Sequence, residues 1–120
     1  MDTEPALLAE VDTAGFRAAL AGDKPVLVDY VADHCVWCER IAPVLEAVLP
    51  EYRERLRAVK VNVQRHPDAA PPGGVRGTPT VALYRDGQLV MSKNGMMQRG
   101  QLVSFLDHWL DPANVGLAGA

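Results

Sequence analysis

The sequence has no apolar run near the roughly 18 residues that a membrane-spanning helix requires, so no transmembrane segment is expected. It has no excess of positive charge. Lys and Arg number 12 against 15 Asp and Glu, a formal net charge of −3. A nucleic-acid surface needs a concentrated basic face instead. The nearest approach to one, Arg53, Arg55, Arg57 and Lys60, is interleaved with Glu51, Glu54 and apolar positions, and reads as a solvated helix end and strand edge. No G-x-G-x-x-G follows a strand pattern, so no dinucleotide site is indicated. Internal repeats and low-complexity blocks are also lacking. The N-terminus, Met1-Asp2-Thr3-Glu4-Pro5, is acidic. A secretory signal begins basic and turns apolar, so the expectation is a cytoplasmic chain. Cysteine is scarce as well: there are 2, Cys35 and Cys38.

What is present suffices for one folded domain. A chain of 120 residues hides about two-thirds of its unfolded surface on folding. Residues 12–21 predict a short helix, capped by Asp12 or Thr13, with Phe16 and Leu20 on one face and Gly22 as its stop. Residues 26–31 are an apolar run of buried-strand length, interrupted by one acid, Asp29. From Cys38 to about Tyr52 the period turns helical, with Ile41, Val44, Leu45, Val48 and Leu49 in one stripe and Pro43 inside it as a kink. Residues 56–63 predict a second strand. Residues 66–77 hold 3 prolines and 3 glycines and predict a loop with at most a short helical turn. Residues 80–84 and 89–92 predict a hairpin around Asp86-Gly87. Residues 98–110 predict an amphipathic helix, and residues 111–120 a flexible tail after a domain spanning 1–110. A helix between the first two strands demands a parallel pair, and the hairpin an antiparallel one. The fold class is therefore α/β, a central mixed sheet of four to five strands with helices on both faces, an extra edge strand falling near residues 6–11.

Cys35-Val36-Trp37-Cys38 is the feature that carries chemistry. In a reducing cytosol so close a pair is catalytic or metal-binding in preference to a staple. A bridge across two residues closes too short a loop to remove much unfolded-state entropy. Cys35 falls where a strand gives way to a helix. Unpaired N–H groups and partial positive charge at a helix N-terminus favour thiolate over thiol. Cys38, one turn further in, is more shielded. That asymmetry suits attack by Cys35 on a disulfide, followed by attack of Cys38 on Cys35. A shielded thiol needs a base, and Asp29 is the candidate if it is buried. If it lies at a wet strand end, it is an ordinary surface acid.

Val26-Leu27-Val28-Asp29-Tyr30, Cys35-x-x-Cys38, Ile41-Ala42-Pro43, Lys60-Val61-Asn62-Val63, Val75-Arg76-Gly77-Thr78-Pro79-Thr80, Asp86-Gly87 and Gly95 together resemble the thioredoxins. The resemblance covers residues 5–110 and implies the thioredoxin fold. It implies a cis Pro79 facing the active site, and a Thr78 backbone that pairs with an extended substrate. It implies Asp29 as the buried acid with Lys60 as its partner, and Gly95 on the rim of the substrate groove. Met96 and Met97 follow that glycine and are either adaptable groove contacts or core.

The sequence departs from the usual thioredoxin pattern beside the pair. His34 stands where a Trp usually precedes the first cysteine, Val31 replaces a second Trp three residues earlier, and Val36-Trp37 replaces Gly-Pro. Trp37 restores a backbone N–H that proline lacks, and His34 when protonated adds positive charge. Both favour the thiolate, hence the reduced protein and a more oxidising pair. The Trp37 indole either offers a partner contact or folds back to shield the disulfide.

The leading expectation is a monomeric, cytoplasmic protein-disulfide reductase. It needs no cofactor, acts on disulfide-containing protein substrates, and takes electrons from a separate reductase or a small thiol. It binds neither nucleic acid nor membrane. Alternatives are an isomerase- or oxidase-like activity and a non-enzymatic chaperone or interaction module on the same fold. A metal site made of Cys35, Cys38 and His34 with His66 or His108 is a minor reading, because the adjacent His34 and Cys35 cannot easily aim at one tetrahedral ion. No metal is expected.

Overall fold

Every residue of Val26–Val31 is buried, which is why that run is apolar throughout instead of alternating. The computed structural model describes residues 7–114. The strands are β1 (Ala9–Glu10), β2 (Val26–Val31), β3 (Arg57–Asn62), β4 (Thr80–Arg85) and β5 (Gln88–Asn94); the helices are α1 (Thr13–Leu20), α2 (Val36–Val48) and α3 (Arg99–Trp109). The sheet order is β1-β3-β2-β4-β5. β3 runs parallel to both β1 and β2, while β4 is antiparallel to β2 and β5. This is the mixed five-stranded sheet expected of a thioredoxin fold, with β1 as the extra edge strand. Its predicted beginning, Ala6, lies outside the described residues.

Alternation along β2 sends its side chains to two cores. Leu27 packs on one face with Ile41 and Leu45 of α2, Val81 and Leu83 of β4, and Leu102 and Leu106 of α3. Val26, Val28 and Tyr30 pack on the other with Phe16 and Ala19 of α1, Val59, Val61 and Ala69. Burying one such aliphatic side chain contributes about 2 kcal/mol. On the second face Tyr30 Oη donates to Ala69 O at 2.6 Å. Its one proton is thereby used, so Tyr84 Oη is the donor in the 2.7 Å contact between the two hydroxyls.

Local chemistry explains the element ends. Asp12 caps α1 by accepting from Gly15 N at 2.8 Å. Gln98 and Gln101 close a capping box at the start of α3. Asp86 and Gly87 both have positive φ, 53° and 78°, the pattern of a type I′ hairpin turn. Helix α2 differs from the sequence expectation at both ends. It starts at Val36, because Cys35 is its N-cap, and past Val48 it tightens into a 3₁₀ turn over Leu49–Tyr52 led by Pro50. The assigned helix continues through Pro43, whose ring is exposed. The expected loop over 66–77 holds one short 3₁₀ turn, Pro67–Ala69. At the expected tail, Asn114 N donates to Asp111 O at 3.0 Å, and residues 115–120 lie outside the described residues. Among the described residues no helix is long and apolar enough to cross a membrane.

Candidate active site

Cys35 and Cys38 are joined as a disulfide. Cys35 has extended backbone, φ −109° and ψ 102°, and its Sγ accepts from Cys38 N at 3.2 Å. The sulfur thus occupies the place of an N-cap oxygen, where it meets unpaired helix donors. Trp37 N–H makes no hydrogen bond to this sulfur among the described residues. The cap bond goes one residue further along, to the third helical N–H. Cys35 is half-buried and Cys38 buried, the asymmetry expected from their order on the helix.

The loop before β4 closes over Cys35. The Thr78–Pro79 peptide is cis. Thr78 Oγ1 lies 3.4 Å from Cys35 Sγ and donates to it, and Thr78 O lies 3.6 Å from the same sulfur. The backbone of Thr78 was singled out in the sequence. Its hydroxyl was not. The loop is itself clamped. Asn94 Nδ2 donates to Gly77 O at 2.9 Å and to Thr80 Oγ1 at 3.0 Å, and Thr80 Oγ1 donates to Gly77 O at 2.6 Å. Gly95 N donates to Pro79 O at 2.7 Å. Gly95 has φ 96°, a conformation that glycine adopts without the cost of a Cβ. Asn94 carried no sequence signal beyond its place next to that glycine.

Asp29 is 1% exposed, so the wet-strand-end alternative is excluded. It lies two residues from Leu27 along β2 and therefore shares its face, toward the core covered by α2 and α3 in which Ile41 is buried. Lys60 lies directly across the parallel β2–β3 pair from Asp29. Burial raises the Asp29 carboxyl to about 6, against a weaker lowering by the Lys60 charge. Its Oδ1 is buried without a hydrogen-bond partner.

The remaining expected residues spread around the pair. Val36 and Trp37 are the exposed large hydrophobic residues among those described, at 56% and 54%. The Arg40 guanidinium lies over the Trp37 indole, 5.2 Å from the ring centroid. His34 is exposed and has φ 56°. Met97 is core at 1% exposure, whereas Met96 is only partly buried against the same cluster. Among the described residues no three His, Cys, Asp or Glu side chains come together as metal ligands.

Residues 7–108 match the family model described as Thioredoxin. The chain is 40% identical over 105 residues to a thioredoxin of Acidithiobacillus ferridurans, covering 88% of this chain and 97% of that one. It is 42% identical over 101 residues to a thioredoxin of Pseudomonas aeruginosa, covering 83% and 94%. It is 37% identical over 94 residues to a thioredoxin-like protein of Synechocystis sp., covering 78% and 90%. A paired-cysteine helix cap facing a cis-proline loop, in a chain matched to such relatives over most of its length, leaves one reading: the protein belongs to the thioredoxin family and is a thiol–disulfide oxidoreductase.

Proposed function

We propose that the protein works as a reductase of protein disulfides, with Cys35 as attacking thiol and Cys38 as resolving thiol. The observation that carries this is the unequal surroundings of the two sulfurs. Cys35 is reachable and faces two donors, while Cys38 is buried in the helix behind it. The Cys35 thiolate attacks one sulfur of a partner's disulfide, that S–S bond breaks, and the departing thiolate takes a proton from water. Cys38 then loses its proton to Asp29 and attacks Cys35 Sγ. The mixed disulfide breaks and the second partner thiolate leaves. Two electrons have passed to the partner, and the chain is left as the Cys35–Cys38 disulfide. A separate reductase or small thiol restores the dithiol, and no cofactor takes part.

In this reading Lys60 tempers the charge on Asp29. The Thr78 backbone pairs with the substrate chain beside Pro79. Gly95 and Met96 rim the groove, and Trp37 presents a contact to the partner. Monomeric, cytosolic operation belongs to the same reading, supported by a lone pair of cysteines that a reducing compartment keeps as thiols.

Trapping tests it. Cys38→Ser protein in reduced form is expected to form mixed disulfides with disulfide-bonded proteins, released by dithiothreitol, whereas a Cys35→Ser/Cys38→Ser control forms none. Equal capture by the two variants would sink the assignment.

One observation favours a second, oxidising role. The Cys38 N–H and the Thr78 hydroxyl converge on one sulfur, and donors of this kind hold the thiolate. With His34 beside it, the pair is expected to equilibrate with glutathione at a potential about 30 mV above that of the Pseudomonas aeruginosa thioredoxin. A value at or below that reference removes the oxidising role.

A further inference from the structure

Asp33 lies on the loop between β2 and α2, two residues before Cys35, and it is exposed. Three groups nevertheless converge on it. Its backbone N–H donates to Gln64 Oε1 at 3.0 Å. Its Oδ1 accepts from Asn62 Nδ2 at 3.1 Å and from Arg65 Nη2 at 3.0 Å. The residues that grip it are themselves tied together. Asn62, 4% exposed, accepts through Oδ1 from Gln64 N at 3.0 Å and Arg65 N at 3.2 Å. Arg65 also reaches Glu10 at 3.9 Å. The turn leaving β3 thus holds the loop entering α2.

Between Asp33 and Cys35 stands His34, with φ 56°. The left-handed region costs a non-glycine residue about 1 kcal/mol. Apart from His34, the one non-glycine described residue there is Asp86, in the hairpin turn that requires it. Nothing comparable requires it of His34. Its side chain is exposed and makes no hydrogen bond among the described residues. Its conformation must come from its neighbours, both anchored: Cys35 by the helix cap and the disulfide, Asp33 by the turn leaving β3.

We propose that Asp33 is a positioning residue for Cys35: gripped by Asn62, Gln64 and Arg65, it keeps His34 left-handed and so fixes Cys35 as the cap of α2, its sulfur against the Cys38 N–H. The proposal rests on Cys35 being the attacking thiol. Without the grip, His34 relaxes to ordinary φ and turns Cys35 out of the cap. The thiolate then loses a donor that the thiol needs less.

The sign of the effect makes this testable. Deleting the negative charge of Asp33 would, by Coulomb's law alone, favour the thiolate and speed its reaction. Loss of position does the opposite. The test is alkylation of Cys35 by iodoacetamide in reduced protein, followed against pH, with thermal melts as a check on folding. Asp33→Ala is expected to slow alkylation at neutral pH about fivefold, the equivalent of one hydrogen bond, and to move the midpoint of the profile upward. Gln64→Ala keeps every charge and loosens the same grip from an exposed position. It is expected to act in the same direction, and it carries the test if Asp33→Ala does not fold. In a His34→Gly background, where the left-handed conformation costs nothing, the loss from Asp33→Ala is expected to fall to less than half, a coupling read by the double-mutant cycle. Faster or unchanged alkylation in folded Asp33→Ala or Gln64→Ala overturns the proposal, as does a full loss that persists with glycine at 34. If Cys35 is not the thiol alkylated first in the unmodified chain, the assignment of the nucleophile fails instead.

Discussion

Cys35→Ala protein is expected to reduce a disulfide-bonded protein no faster than the buffer's own reductant does, a loss of at least about a thousandfold. The chain has no substitute for this sulfur. Its other thiol, Cys38, is buried at 8% exposure in the wall of α2, where it reaches Cys35 and not a partner in solution. The fold itself should survive, because the replacement removes a helix cap worth about 1 kcal/mol and no core side chain. Cys38→Ala is expected to behave differently: one attack per molecule, then a stalled mixed disulfide. Turnover and a single-turnover burst, measured on both variants, separate the two roles. More than about a tenth of normal turnover in Cys35→Ala would transfer the attacking role to Cys38.

Asp29→Ala is expected to make the protein more stable and slower. In the unfolded chain the carboxyl titrates near 3.8, and in the folded protein burial lifts it to about 6. Between those values the folded state holds the extra proton, so stability falls as pH rises through this window. Above it the wild-type protein carries an unfavourable buried charge. A shift of about 2 units corresponds to about 3 kcal/mol, and the cavity left by truncation returns roughly 1 kcal/mol of that. At pH 7 the variant should be more stable by about 2 kcal/mol, which for a domain of this size moves Tm up by about 8 °C. As pH falls below 3.8 Asp29 becomes protonated in both states, the gain is lost, and the cavity cost leaves the variant roughly 1 kcal/mol less stable than the wild type. Denaturant melts at pH 3.5 and 7 check both halves. A gain that is equal at the two pH values would rule out ionisation as its cause. Resolution of the mixed disulfide should slow in the variant, and in the wild type it should slow as pH falls below about 6, when the base is already protonated.

Much of this was legible in the sequence because it rests on local signals. The buried run of β2, the stripe of α2 and the Asp86-Gly87 turn follow from periodicity and turn chemistry. The mixed sheet follows from their order. The cysteine pair and its asymmetry come from spacing alone. Periodicity alone placed Asp29 on a strand without assigning it as wet or buried, since an acid in an apolar run fits either; only the family resemblance implied burial. Its burial depends on α2 and α3 lying over that face, which is tertiary. The Thr78 hydroxyl, the Asn94 clamp and the grip on Asp33 were not legible for a related reason. Each joins residues far apart in the chain, 43, 17 and 29 positions for three of the bonds, through polar side chains common in any loop. The expected Trp37 N–H bond failed on a finer point. Spacing does not say whether a cap contacts the second or the third N–H of its helix.

The Tyr30–Tyr84 hydroxyl pair imposes an order on how this protein can change. Tyr84 leans on Tyr30, and Tyr30 leans on the Ala69 carbonyl. If position 84 becomes Phe first, Tyr30 keeps its acceptor and little is lost. If position 30 becomes Phe first, a buried hydroxyl and a buried carbonyl are stranded together, each at a cost of about 1–3 kcal/mol. A lineage leaving this arrangement for two phenylalanines has one easy path and one steep one. The core behind the active site therefore has a direction of descent written into which proton points where.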